Sequence, residues 1–151
     1  MKKTVLATAV LLAVSISSFA NGNDDYKKLF NDFTNAFEKA SNVQSPVQWV
    51  TTENYKRAAF LFKGKSVFAY FKAENDDLIG FSRPLSVNDL PENALTNIQN
   101  RYGDWAITEV TIFLYADGHV RYYAGAIKGK NNIVFEITTK GQIGIFSKMS
   151  S

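Results

Sequence analysis

Residues 54–83, NYKRAAFLFKGKSVFAYFKAENDDLIGFSR, lie over residues 119–148, HVRYYAGAIKGKNNIVFEITTKGQIGIFSK, without a gap at a fixed offset of 65. Six of the thirty pairs are identical: Ala59/Ala124, Lys63/Lys128, Gly64/Gly129, Lys65/Lys130, Phe81/Phe146 and Ser82/Ser147. Phe68/Ile133, Tyr70/Phe135 and Leu78/Ile143 are conservative. The same offset lays Leu29, Phe33 and Phe37 over Ala94, Ile98 and Tyr102. Ungapped similarity with matched turns is the mark of an internal duplication. The repeated units are expected at about 24–83 and 89–148.

Working outward, each unit reads as one helix followed by strands. The first helix is expected from about Asp24 to Ala40. Tyr26, Leu29, Phe30, Phe33, Phe37 and Ala40 recur at three- and four-residue spacing and so share one face. Asn23 or Asp24 can cap it, and 42–46 ends it. Strands are predicted over 47–51, 55–62, 66–73 and 78–82, with Lys63-Gly64-Lys65 as a tight hairpin turn. The second helix is expected near Asp89 or Leu90. Asp89 and Glu92 stand at capping-box spacing, and Pro91 suits a first turn. Leu95, Ile98 and Tyr102 make its inward stripe. Strands follow over 105–115, 119–127, 133–138 and 142–147, and Asp117-Gly118 is the strongest hairpin signal. The fold class is therefore α+β: two layers, two helix-plus-four-strand units, an antiparallel sheet and helices on one face.

Residues 1–20 read as a secretory signal peptide. Lys2 and Lys3 precede the apolar stretch 5–16, and Ser18-Phe19-Ala20 presents small residues at a cleavage site. Cleavage after Ala20 leaves one domain, 21–151, with no stable membrane insertion expected afterwards. Removing Lys2 and Lys3 lowers the formal charge from +3 to +1, so the basic balance implies no nucleic-acid partner. The chain has no cysteine, although export permits disulfides. A periplasmic or secreted location is expected.

The second half carries a family resemblance. Asp89-Leu90-Pro91 opens a helix and Tyr102-Gly103-Asp104 closes it; Tyr122-Tyr123, Val134-Phe135 and Gly141 follow. This pattern resembles the PepSY-like secreted domains. The tandem helix-plus-four-strand plan is similar to the β-lactamase-inhibitor-protein-like (BLIP-like) fold. The resemblance implies an exported, non-catalytic domain that binds or regulates other proteins; in the inhibitor a concave sheet grips an enzyme. The inhibitor carries disulfides, and this chain has none.

Catalytic chemistry is poorly supplied. One histidine and no cysteine leave little for zinc. His119 can pair with Asp117, but no serine sits in a nucleophile-elbow sequence. It is expected to be a solvated turn residue. The paired Lys-Gly-Lys turns lack the pattern of a phosphate loop. No enzyme and no cofactor are expected. Glu74, Asp76 and Asp77 offer oxygen ligands to calcium, without the spacing of an EF-hand loop.

Strand alternation points to binding instead. The offset of 65 pairs Phe68 and Tyr70 with Ile133 and Phe135, expected under the helices. The open face then carries Val67, Ala69 and Phe71 in the first unit and Asn132, Val134 and Glu136 in the second, with Arg121 and Tyr123 beside them. A one-residue slip inverts every facing. Val67, Phe71, Arg121 and Tyr123 are the expected binding residues, holding an envelope protein or peptide. Two readings stay open beside it. One is a small-ligand carrier or small enzyme with a cone-shaped pocket under the first helix. The other is a calcium-responsive periplasmic domain.

Overall fold

The computed structural model describes residues 24–42 and 47–150. The expected leader, the capping residue Asn23 and the helix stop at 43–46 lie outside them. Two helices and eight strands follow in the chain: α1 (Asp24–Asn42), β1 (Gln48–Thr51), β2 (Tyr55–Phe62), β3 (Lys65–Lys72), β4 (Leu78–Leu85), α2 (Glu92–Tyr102), β5 (Ala106–Tyr115), β6 (Val120–Lys128), β7 (Asn131–Ile137) and β8 (Ile143–Ser150). The strands keep chain order in one eight-stranded antiparallel sheet, as an α+β fold. The chain divides into two compact units. The first runs to Ser82 and includes Leu114–His119; the second comprises Arg83–Phe113 and the residues from Val120 onward.

In the first unit the aromatic stripe of α1 makes the core. Phe30, Phe33 and Phe37 are buried. Phe33 meets Phe62 of β2 edge-on at 5.3 Å and Phe81 of β4 at 5.8 Å. Phe30 meets Phe81 at 5.3 Å. Phe37 meets Phe60 at 5.5 Å, Phe71 at 5.7 Å and Trp49 at 6.4 Å. Each fully buried aromatic ring contributes roughly 2–3 kcal/mol, so a chain without disulfides is held here by ring packing.

In the second unit α2 buries Ala94 and Ile98. Tyr102 is half-buried and packs on Phe135 at 4.8 Å. Val110, Ile112, Tyr122, Ala124, Ala126, Ile133 and Ile137 complete the core. The start of this unit differs from expectation. Asp89 does not open α2. Its carboxylate accepts from the Ser86 amide at 3.1 Å, and Ser86 Oγ accepts from the Asn88 amide at 3.2 Å. That box caps a separate 3-10 turn, Val87–Asp89, and α2 begins at Glu92 behind Pro91.

The two Lys-Gly-Lys hairpins use different turns. In the first, Phe62 pairs with Lys65, so Lys63 and Gly64 are the central residues. Both are left-handed, at φ 52° and 79°, as a type I′ turn requires. In the second, Lys128 pairs with Asn131, so Gly129 and Lys130 are central. Here Gly129 takes φ 61° and Lys130 is not left-handed, which is the type II′ pattern. The turn has moved by one residue against the sequence repeat.

That slip reverses the expected facing of the first unit. Val67, Ala69 and Phe71 are buried under α1, while Phe68 and Tyr70 point to the other face. In the second unit Ile133, Phe135 and Ile137 point inward, and Asn132, Val134 and Glu136 outward, as expected. The inward residues of β3 therefore match those of β7 at an offset of 66, not 65.

Candidate functional site

The outer face of the second unit brings Arg121, Tyr123, Glu136 and Phe146 together. Tyr123 and Glu136 are direct cross-strand partners of β6 and β7. Tyr123 Oη donates to Glu136 Oε2 at 3.0 Å. Arg121 Nε lies 3.8 Å from the same oxygen, and its Nη1 donates to the Val120 carbonyl at 2.9 Å. Arg121 and Glu136 keep a third or more of their side-chain surface in water, so the pair itself stabilises little. It does hold two polar groups in fixed positions on a face that also carries Val134, Ile127, Asn132 and Phe146.

Phe146 reaches this face through a β-bulge. Phe135 pairs with Ile145 and Val134 with Ser147, which leaves Phe146 without a partner in β7. A bulge re-aims the side chain it carries. Phe146 is 61% exposed and meets Tyr123 edge-on at 5.1 Å. Phe81, its counterpart at the offset of 65, has the opposite fate. The bulge of β4 falls earlier, at Ile79, and Phe81 is wholly buried against Phe30, Phe33 and Phe60. Gly125, next in line along β6, lies under Glu109: a Cβ there would stand 3.2 Å from Glu109 Cγ and 3.3 Å from its Oε2. Thr108 Oγ1 donates to the Gly125 carbonyl at 3.2 Å.

Of the four expected binding residues, Arg121 and Tyr123 stand together on this outer face. Val67 and Phe71 do not; both are core residues beneath α1, because the type I′ turn sets β3 one residue out of the sequence register. Phe146 escaped sequence reasoning, since no local signal marks where a bulge falls.

The acidic loop Glu74–Asp77 does not gather a ligand set. Asp76 is left-handed, at φ 62°, and its carboxylate pairs with Lys56. Asn75 Oδ1 accepts from the Asp77 amide at 3.0 Å. Among the described residues no group of three His, Cys, Asp or Glu side chains converges on a metal position. Beside this loop lies an open notch of about 430 Å³ lined by Glu53, Asn54, Lys72, Ala73 and Glu74. Its lining is mostly polar, unlike the apolar wall of a carrier pocket.

His119 is an exposed turn residue, as expected. Its Nδ1 lies 2.8 Å from Asp117 Oδ1, and its amide donates to that oxygen at 3.0 Å. Partial burial pushes the Asp117 carboxyl up, but the amide and imidazole of His119 outweigh it and hold the carboxyl below its ordinary value. Lys128, 2.6 Å from Asp104, lowers that carboxyl in the same way by a hydrogen bond. The Asp117-Gly118 signal closes a three-residue loop, with the Gly118 amide donating to the Tyr115 carbonyl at 3.0 Å.

No family model matches the chain, and no curated protein does. Solved structures do. A DUF2874 family protein from Bacteroides uniformis superposes with a TM-score of 0.62 at 15% identity, over 79% of this chain and 87% of that one. A candidate periplasmic protein from Bacteroides eggerthii gives 0.61 at 13% identity, over 80% and 87%. A BLIP-like protein from Bacteroides fragilis gives 0.57 at 20% identity, over 93% and 88%. At these identities the likeness is one of fold: the chain shares the fold of these bacterial proteins, one of which is BLIP-like.

Proposed function

We propose that this chain is an exported, non-catalytic module that binds an envelope protein or peptide through the outer strand face around Phe146. The observation that carries the reading is the bulge at Phe146. It holds a large aromatic side chain in water, edge-on to Tyr123, beside a fixed Arg121–Glu136 pair. An exposed aromatic anchor beside oriented polar groups is the composition of a binding hot spot. Neighbours of the same fold include a candidate periplasmic protein, and residues 1–20 read as an export signal. Both support a periplasmic or secreted location. The PepSY-like resemblance and a duplicated origin for the two units belong to the same reading. The shared helix-then-four-strands order supports the duplication, with the hairpin slip as a later divergence.

The test is affinity capture from the envelope fraction of the source cell. Wild type is compared with a Phe146→Ser/Tyr123→Ser double variant whose melting temperature matches it. Truncating one hot-spot aromatic weakens binding by about 2 kcal/mol, close to thirtyfold. A partner retained by wild type and lost by the variant supports the reading. A partner that both retain equally refutes it.

A further inference from the structure

We infer that the outer face of the first unit docks a carboxylate from a protein segment flanked by apolar side chains, with Arg57 as its receptor. The inference extends the binding-module reading to a second face and depends on that reading. Arg57 lies in β2 between Val50 of β1 and Tyr70 of β3. Its guanidinium lies 4.9 Å over the Phe68 ring. Its Nε is shielded from solvent and has no hydrogen-bond partner. Among the described residues, Arg57 takes part in no ion pair. Arg121 of the second unit, by contrast, has Glu136 and the Val120 carbonyl.

The surroundings are apolar. Leu61 is 67% exposed and Val50 44%. Tyr55 packs on Tyr70 at 5.4 Å. Ala59 and Gly80 sit opposite Phe68 and Tyr70. A guanidinium among apolar groups, with no acid paired to it among the described residues, is an uncompensated charge whose Nε is shielded from water. An incoming carboxylate gains a charge-assisted bond there that water screens weakly. The Phe68 ring, 4.9 Å from the guanidinium carbon, holds the group beside it, and the planar fork suits two-point carboxylate recognition. Arg57, with Lys72 opposite Tyr55 at the end of the strand, gives this face few cations, which suits one carboxylate. A phosphate polymer would call for several cations.

The experiment is selection of a random-peptide display library on the purified protein, followed by titration of an enriched peptide. The variants are Arg57→Met, Arg57→Lys and Phe146→Ser. Arg57→Met keeps the stem over Phe68 and removes the orphaned donor, so its melting temperature equals or exceeds that of wild type. Enriched peptides carry Asp or Glu beside aliphatic or aromatic residues. Their affinity falls at least tenfold in Arg57→Met, falls less in Arg57→Lys, and is unchanged in Phe146→Ser. Enrichment of peptides without acids, no enrichment, or equal affinity in Arg57→Met overturns the inference. So does self-association of the protein through this face in place of peptide binding. Binding that needs Phe146 and ignores Arg57 refutes this inference alone; binding that ignores both refutes the module reading as well.

Discussion

Gly141→Ala should strongly destabilise the second unit. Gly141 closes the β7–β8 loop at φ +86°, a conformation that costs an L-residue about 1–2 kcal/mol. A Cβ there would stand 2.9 Å from the Ala94 amide nitrogen, 2.9 Å from Asn93 Cβ and 3.1 Å from the Asn93 carbonyl carbon. Two of these atoms are helix backbone, so relief requires α2 to lift. Lifting it stretches the bond from Asn97 Nδ2 to the Gly141 carbonyl, now 2.8 Å, worth about 1 kcal/mol. Adding roughly 1–2 kcal/mol for overpacking gives a destabilisation of about 3–5 kcal/mol. Gly64→Ala is the control. Gly64 is also left-handed, at φ +79°, but nothing lies within 4 Å of its would-be Cβ. It should lose only about 1–2 kcal/mol. Urea unfolding of both variants measures the difference. Equal losses would refute the claim that α2 is seated on Gly141.

Three further predictions follow from the same geometry. Phe71→Ala should cost about 3–5 kcal/mol in chemical unfolding as a core truncation, while Phe68→Ala on the outer face costs well under half of that. Asp117 and Asp104 have folded-state pKa values below the ordinary 3.8. Their contribution is complete above the unfolded value and is lost as pH falls through the folded one. Stability should drop on acidification below about pH 4, with a shallower slope in Asp117→Asn. Millimolar calcium should leave the thermal midpoint unchanged, because Asp76 is engaged by Lys56 and no ligand set converges around it.

Helix and strand positions were legible because their signals are local. The α1 stripe needs only three- and four-residue spacing, and the hairpins need only their glycines. Facing was legible in the second unit and inverted in the first. Lys-Gly-Lys can close on Lys-Gly as type I′ or on Gly-Lys as type II′, and the choice depends on which face of the next strand the core accepts. Phe71 against Phe37 and Trp49 settles it, through a contact distant in sequence. Phe146 was hidden for a related reason: Phe81, aligned with it at the offset of 65, is a core residue, and only the position of the bulge separates their fates. Ser86 was missed because Asp89 and Glu92 offered a second capping spacing beside the one used.

The chain has no cysteine, so single thiols can report on the proposed binding face directly. Ser147→Cys, opposite Val134 on the same face and next to an intact Phe146, and Gln99→Cys, both at exposed positions, would be labelled with maleimide with and without envelope extract. Binding at this face slows labelling at 147 severalfold in the extract and leaves 99, on α2, unaffected. Equal rates at 147 with and without extract would contradict the binding role of this face.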